Sequence, residues 1–216
     1  MKMTKKAAKL INGGLSNTSK MSCKSYGLPA QECTTGSKLR KIEGSVCSDC
    51  YALKGMYFFP VVQAAQYKRL ASITSPAWVE SMVASIGKDL FFRWHDSGDL
   101  QSVEHLERIV EVCNLTPNTR HWLPTKEKRL VSKWLKNNTC PDNLIIRLSA
   151  PMLNQAITVS SPDLYTSSPD LHTSSVHTSD LMSIGFKCNA PSQDGECRDC
   201  RACWSKSVLN VSYHEH

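Results

Sequence analysis

The sequence predicts an α/β protein, with a partial (β/α) barrel-like parallel sheet flanked by irregular cysteine-rich N- and C-terminal segments. Short apolar runs of strand type alternate with stretches of helical spacing between residues 61 and 155. The connections between them are brief, which favours right-handed crossovers between neighbouring parallel strands. Cysteine groups lie on either side of this regular region.

The elements follow in order. Residues 61–70 (VVQAAQYKRL) repeat their apolar positions at helical intervals. Ser75-Pro76 is a helix opening, a capping hydroxyl followed by proline at the first helical position, and it leads into Trp78, Val79, Met82, Val83 and Ile86. Residues 90–94 (LFFRW) read as a strand, followed by a helix over 103–113 with Val103, Leu106, Ile109 and Val110 on one face. Residues 120–124 (RHWLP) read as the next strand, and Thr125 is placed to cap a helix carrying Leu130, Val131, Trp134 and Leu135. Residues 143–149 (NLIIRLS) read as a third strand. In such sheets ligand-binding residues gather at the carboxyl ends of the strands.

The chain reads as one domain, residues 1–216, in four stretches. Residues 1–60 are poor in periodicity and rich in Gly, Ser, Lys and Cys, an irregular cysteine-containing segment; 61–155 form the βα core. Within 156–182 a seven-residue unit repeats, SSPDLYT then SSPDLHT, with a decayed third copy. So little apolar content predicts a mobile loop, and His172 and His177 inside it are not expected to be metal ligands. Residues 183–216 form a cysteine-rich, metal-binding tail.

With 216 residues, 41% hydrophobic and 21% charged, the composition is that of a globular protein, not a disordered one. No run approaches the ~18–20 apolar residues of a membrane span. The basic opening MKMTKKAAKLINGG is interrupted by Lys9 and too short for a signal-peptide core, so a cytosolic location is expected. There, ten cysteines more readily hold metal or do redox work than form disulfides. The formal charge of +7, concentrated before residue 70, allows weak attraction to nucleic acid, although a solvated basic face explains it as well.

Cys197, Cys200 and Cys203 form C-x2-C-x2-C, with Cys188 upstream, the most specific signal in the chain. Two-residue gaps let one turning segment aim several thiolates at a common centre, and three in succession favour iron–sulfur over zinc ligation. Arg198 and Arg201 are placed to offset the charge of such a cluster. Cys33, Cys47 and Cys50 form a second group, with metal ligation favoured over a redox dithiol at Cys47 and Cys50; Cys23 is undecided. Cys113 and Cys140 read as ordinary thiols.

The strand at 90–94 ends in His95-Asp96-Ser97-Gly98-Asp99, where a parallel sheet presents its working edge. His95, Asp96 and Asp99 are the candidate catalytic residues, with the two carboxylates as general acid and base or an amine-binding pair. Ser97 and Gly98, together with Arg93, His121 and Arg147, are the candidate cofactor-binding residues of a pocket suited to an anionic or zwitterionic ligand. The plainer alternative has Asp99 or Ser102 capping the following helix and His95 filling a structural niche.

Five stretches resemble the bacteriophage gene product 88-like family: residues 26–30, 33–40, 47–52, 92–99 and 197–204. More distantly, a cysteine triplet, βα units and a Ser-Gly-Asp string are similar to the partial barrel of radical S-adenosylmethionine enzymes. That resemblance implies Cys33, Cys47 and Cys50 as ligands of a [4Fe–4S] cluster, with Gly98 and Asp99 at the amino group of S-adenosylmethionine. The first gap of the triplet is longer than in that superfamily, and the acid is Asp instead of Glu. Cys188, Cys197, Cys200 and Cys203 would then form a separate four-thiolate site.

The expected function is accordingly a phage-encoded iron–sulfur protein with one or two clusters, on a radical-enzyme-like scaffold in the cytoplasm of the infected host. It is expected to act as a redox or radical-type enzyme on a small-molecule substrate or with a redox partner. The alternative is a zinc-stabilised binding module that contacts host protein or nucleic acid.

Overall fold

The computed structural model describes residues 3–157 and 172–215. In chain order the elements are α1 (Lys5–Asn12), β1 (Ser16–Asn17), β2 (Lys24–Tyr26), α2 (Thr34–Leu39), α3 (Pro60–Ser72), α4 (Trp78–Ile86), β3 (Phe91–Trp94), α5 (Val103–Leu115), β4 (Arg120–Thr125), α6 (Lys128–Leu135), β5 (Leu144–Ser149), β6 (His172–His177), β7 (Phe186–Lys187) and β8 (Asn210–His214). The strands make one sheet in the order β1-β2-β3-β4-β5-β6-β8-β7. Among the described strands only the β1–β2 pair is antiparallel. The ladder is open between β1 and β7, and no pairing among the described residues closes it into a barrel.

From β2 to β6 each strand lies beside its predecessor, advancing in one direction. Right-handed crossovers then bring the helices to one face. Phe92, Trp94, Leu123, Ile146 and Leu148 point to that face and form one core with Trp78, Met82 and Ile86 of α4, Leu106 and Ile109 of α5, and Val131 and Trp134 of α6. Tyr26 ties β2 in: Trp78 Nε1 donates to its hydroxyl at 3.1 Å, and that hydroxyl lies 2.8 Å from the Asn12 carbonyl.

Strand β8 breaks the progression by lying between β6 and β7. The step from β7 to β8 therefore runs backwards, and a right-handed connection there crosses the opposite face. Residues 188–209 make this connection with short 3-10 turns in place of a helix. Its Trp204 packs edge-on against Phe91 and Trp122, ring centroids 5.6 and 5.2 Å apart, on side chains of opposite parity to the helix-facing core. The cysteine-rich tail thus covers the face that the helices leave bare.

Two stretches differ from expectation. The first sixty residues contain α1, α2 and β2, and α1 is a capped helix: the Ala7 N–H donates to the Thr4 hydroxyl at 3.2 Å, and Gly13 closes it at φ 79°. Part of the expected mobile loop is strand β6, inserted between β5 and β8. Its buried serines are satisfied by the strands on either side: Ser174 Oγ lies 3.1 Å from Ser149 Oγ of β5, and Ser175 Oγ 3.1 Å from Ser212 Oγ of β8. Hydroxyl pairing with its neighbours makes up for the missing apolar side chains. The first copy of the repeat and most of the second lie outside the described residues. No helix among the described residues is long and apolar enough to cross a membrane.

Candidate metal centres at the two ends of the sheet

The segment that carries the first cysteine group lies across the carboxyl ends of three strands. The Leu28 N–H donates to the Ser97 carbonyl beyond β3, the Thr35 N–H to the Glu127 carboxylate beyond β4, and the Val46 N–H to the Pro151 carbonyl beyond β5. Cys33 stands at the head of α2, and Cys50 ends the following loop. Gly36 separates two thiols: a Cβ there would lie 3.7 Å from both the Cys33 and the Cys47 sulfur. Burial pushes both thiols up. At Cys33 the Asp99 carboxylate, Cys50 and Cys47 add to the effect; at Cys47 Lys126 opposes it. Buried thiols that would repel one another as thiolates are a donor set that a cation relieves.

The second group surrounds a narrow cavity of about 20 Å³ lined by Cys188, Cys197, Cys200 and Cys203, with apolar walls from Phe186, Val211 and Trp204. The Cys200 N–H donates to the Cys197 carbonyl, the tight turn that C-x2-C spacing calls for, and the Cys188 N–H donates to Ser212 of β8. Cys203 Sγ lies 3.2 Å from the Tyr213 hydroxyl, and burial pushes its thiol up to about 12. Cys23 stands beside this group. Burial pushes it up to about 11; Arg93 opposes the shift and Cys197 adds to it.

Two arginines organise the space around these groups. Arg147 is fully buried, and its guanidinium donates to five carbonyls: Cys203 through Nε at 3.1 Å, Thr173 and Leu209 through Nη1, Ala202 and Ser205 through Nη2. A guanidinium has five N–H groups, so all of them go to the chain itself. Arg93 lies 4.6 Å over the Trp122 ring. Burial works against its charge, but Tyr51, Asp96, Tyr213 and Tyr57 outweigh this and hold it protonated, while the same charge lowers Cys23, Cys197 and Cys203. Arg93 is therefore an electrostatic neighbour of both ends: Tyr51 follows Cys50, and Tyr213 touches Cys203.

The string after β3 is buried. His95 sits in the left-handed region at φ 56°, its ring nitrogens have no hydrogen-bond partner, and its ring lies 5.5 Å from that of His105. Asp96 accepts from the Tyr57 hydroxyl at 3.1 Å, and its Oδ1 has no hydrogen-bond partner. Ser97 donates to the Leu28 carbonyl and accepts from Gln66. Asp99 accepts from the Leu100 N–H, the Thr125 hydroxyl and the Lys126 N–H, and burial nevertheless pushes it up to about 6. Gly98 adopts φ 74°, and a Cβ there would fall 2.6 Å from Leu28 Cβ and 2.7 Å from the Leu28 carbonyl oxygen. Gly98→Ala is expected to cost about 2–3 kcal/mol through both clash and φ strain, read as a lower urea midpoint at unchanged slope.

A family model described as gene product 88 matches residues 1–206. The chain belongs to the gene product 88 family. No curated protein and no solved structure matches it. The radical S-adenosylmethionine likeness therefore has no support from the comparisons, and the donors around Asp99 are this family member's own backbone and Thr125.

Among the described residues, no three His, Cys, Asp or Glu side chains form a ready-made metal site. The fold of this gene product 88 chain nonetheless gathers Cys33 and Cys47 around Gly36, with Cys50 beside them, and Cys188, Cys197, Cys200 and Cys203 around one cavity. His121 is not brought to either group. It lies on the helix side, stacked on Trp94 and 2.9 Å from the Thr116 hydroxyl, because alternate residues of β4 face opposite ways. Ser102, not Asp99, caps α5 by accepting from the His105 N–H. Sequence reasoning missed Tyr213, Trp204 and Tyr51 as neighbours of these sites. Tyr51 and Trp204 carried a signal, each standing directly after a cysteine of its group (Cys50 and Cys203); Tyr213 carried none.

Proposed function

We propose that this gene product 88 protein is an iron–sulfur protein. In this reading Cys188, Cys197, Cys200 and Cys203 hold a [4Fe–4S] cluster on the sheet face opposite the helices. Cys33, Cys47 and Cys50 form a three-thiol site at the carboxyl ends of β3, β4 and β5. The observation that carries the reading is the convergence of four thiols on one cavity with apolar walls. Such a donor set is soft, and sulfur ligands in a dry wall suit iron.

When bound, such a cluster supplies one-electron transfer. The chain's own residues do the rest. Arg147 fixes the carbonyls of Ala202, Cys203 and Ser205 and so sets the loop that presents Cys203. Tyr213 stands at hydrogen-bond distance from the Cys203 sulfur, and Arg93 offsets negative charge from the same side. At the other end a cluster held by only three thiols would keep one coordination position open for a small-molecule ligand, S-adenosylmethionine included, and Asp96 Oδ1 is a buried acceptor without a hydrogen-bond partner. The reading places a redox or radical-type enzyme in the cytoplasm of the infected host.

A zinc-stabilised binding module is the second reading. The cavity of about 20 Å³ favours it, being room for a single ion.

Protein purified without oxygen is expected to be brown, with a broad absorbance shoulder near ~400 nm and acid-labile sulfide. Cys200→Ser should remove about four irons per chain if the C-terminal group holds a cubane, and Cys47→Ser should affect only the other site. Colourless protein carrying zinc alone would overturn the iron reading in favour of the second.

A further inference from the structure

We propose a divalent-metal site of zinc-like preference, distinct from the cysteine groups, formed by His177, His214 and Asp180. His177 and His214 are register partners at the carboxyl ends of the parallel strands β6 and β8. Their ring centroids lie 5.4 Å apart. Two imidazoles on one tetrahedral ion, at a metal–nitrogen distance of about 2.0–2.1 Å, hold their centroids about 5 Å apart. Asp180 follows β6, with Oδ1 3.8 Å from His177 Nε2.

The surrounding hydrogen bonds select the ligating atoms. His214 Nδ1 lies 2.7 Å from the Glu215 carbonyl oxygen, which can only accept, so Nδ1 carries the proton and Nε2 keeps its lone pair in the neutral ring. His177 Nδ1 lies 2.8 Å from the Ser212 hydroxyl, which accepts from Ser175 and has a second lone pair to take the Nδ1 proton in the same arrangement. His177 Nε2 is buried without a hydrogen-bond partner. Burial, and then His214, lower His177 and keep it neutral. Asp180 Oδ2 is held by Lys187 Nζ at 2.9 Å, leaving Oδ1 toward the histidines. Metal-bound histidines and carboxylates are tethered through their far atoms in this way. The three donors do not yet converge; closing the His177–Asp180 separation to the ~3.3 Å of a tetrahedral site needs a movement of about half an ångström by Asp180, an exposed side chain. A two-nitrogen, one-oxygen set leaves a coordination position for water or a substrate oxygen.

The test uses the full-length protein, with its thiol sites as isolated, titrated with Zn²⁺ while imidazole nitrogens are followed by ¹H–¹⁵N NMR. The expected result is uptake of one further equivalent, with the Nε2 resonances of His177 and His214 shifting and those of His95, His105 and His121 staying in place. His214→Gln should abolish that equivalent, and Asp180→Asn should weaken it about tenfold or more. His214 is only half-buried at a strand end, so its variant keeps the test available if His177→Gln fails to fold. Unmoved His177 and His214 resonances, or equal zinc uptake by wild type and His214→Gln, would overturn the proposal. Thiol-bound metal leaves these nitrogens untouched, so the iron–sulfur reading can fail without this one failing.

Discussion

Arg147→Met is expected to lower the unfolding free energy by about 3–5 kcal/mol, from the loss of a buried charged donor to several carbonyls. The five accepting carbonyls come from β6 and from residues 202–209, so one side chain holds the cysteine-rich crossover against the sheet. Methionine fills much of the volume but donates to none of them. Arg147→Lys should recover only part of the loss, because one ammonium cannot match a planar fork of donors. Urea unfolding gives the magnitude. Hydrogen exchange gives the location: protection should fall in residues 200–211 and remain in β3 and β4. A midpoint unchanged in Arg147→Met would show that water replaces the guanidinium at no cost, and would remove the arginine from the account of how the C-terminal thiols are positioned.

Stability should fall steeply between pH 6 and 4. Burial lowers His105 to about 3, with Arg108 adding to it, and burial alone lowers His121 to about 3; His95 is also held well below its ordinary value. The structure gives His121 a reason. Thr116 Oγ1 donates to the Val112 carbonyl and so can only accept from His121 Nε2, which leaves Nδ1 buried with no acceptor for a second proton. The unfolded chain takes up protons near pH 6.5 that the native state refuses, so the histidine contribution is present above that pH and lost below it. Asp99 acts in the opposite sense. Its native value of about 6 means that the folded chain takes a proton first, which stabilises it as pH falls from 6 toward 4. His95, His105 and His121 against Asp99 leave a net loss of about 3 kcal/mol per pH unit, at ~1.4 kcal/mol for each surplus proton, and the lowered His177 adds to it in the same direction. His121→Phe keeps a ring on Trp94 and removes one titrating group, so its stability profile should be shallower by about 1.4 kcal/mol per unit. An equally steep profile in that variant would place the acid sensitivity elsewhere.

The regular middle of the chain was legible because its pattern is physical. Residues 91–94 and 144–148 are the short apolar runs of strands covered on both faces, and α5 carries Leu106 and Ile109 on its buried side. Position along the strand alone misled at β4: His121 and Trp122 are adjacent in sequence but face opposite sides of the sheet, and Trp122, not His121, lies beside Arg93. Helix α1 escaped notice because its buried residues are only Ala8 and Asn12. Strand β6 did so because its inward positions are serine and histidine, which pair with partners far along the chain. Spacing within each cysteine group was readable from local geometry. Which tyrosine meets which thiol depends on the order of strands, and no local pattern encodes that.

The sheet order also dictates a sequence of events during synthesis. β7 leaves the ribosome before β8, yet among the described strands β8 is its only partner. β7 must therefore wait, unpaired, until residues 210–214 emerge and slot in beside β6. Cys188 lies directly after β7, and its amide is held by Ser212 of the late strand. None of the four C-terminal thiols can therefore be enclosed until residues 210–214 have docked, and that single strand addition closes them off from solvent together.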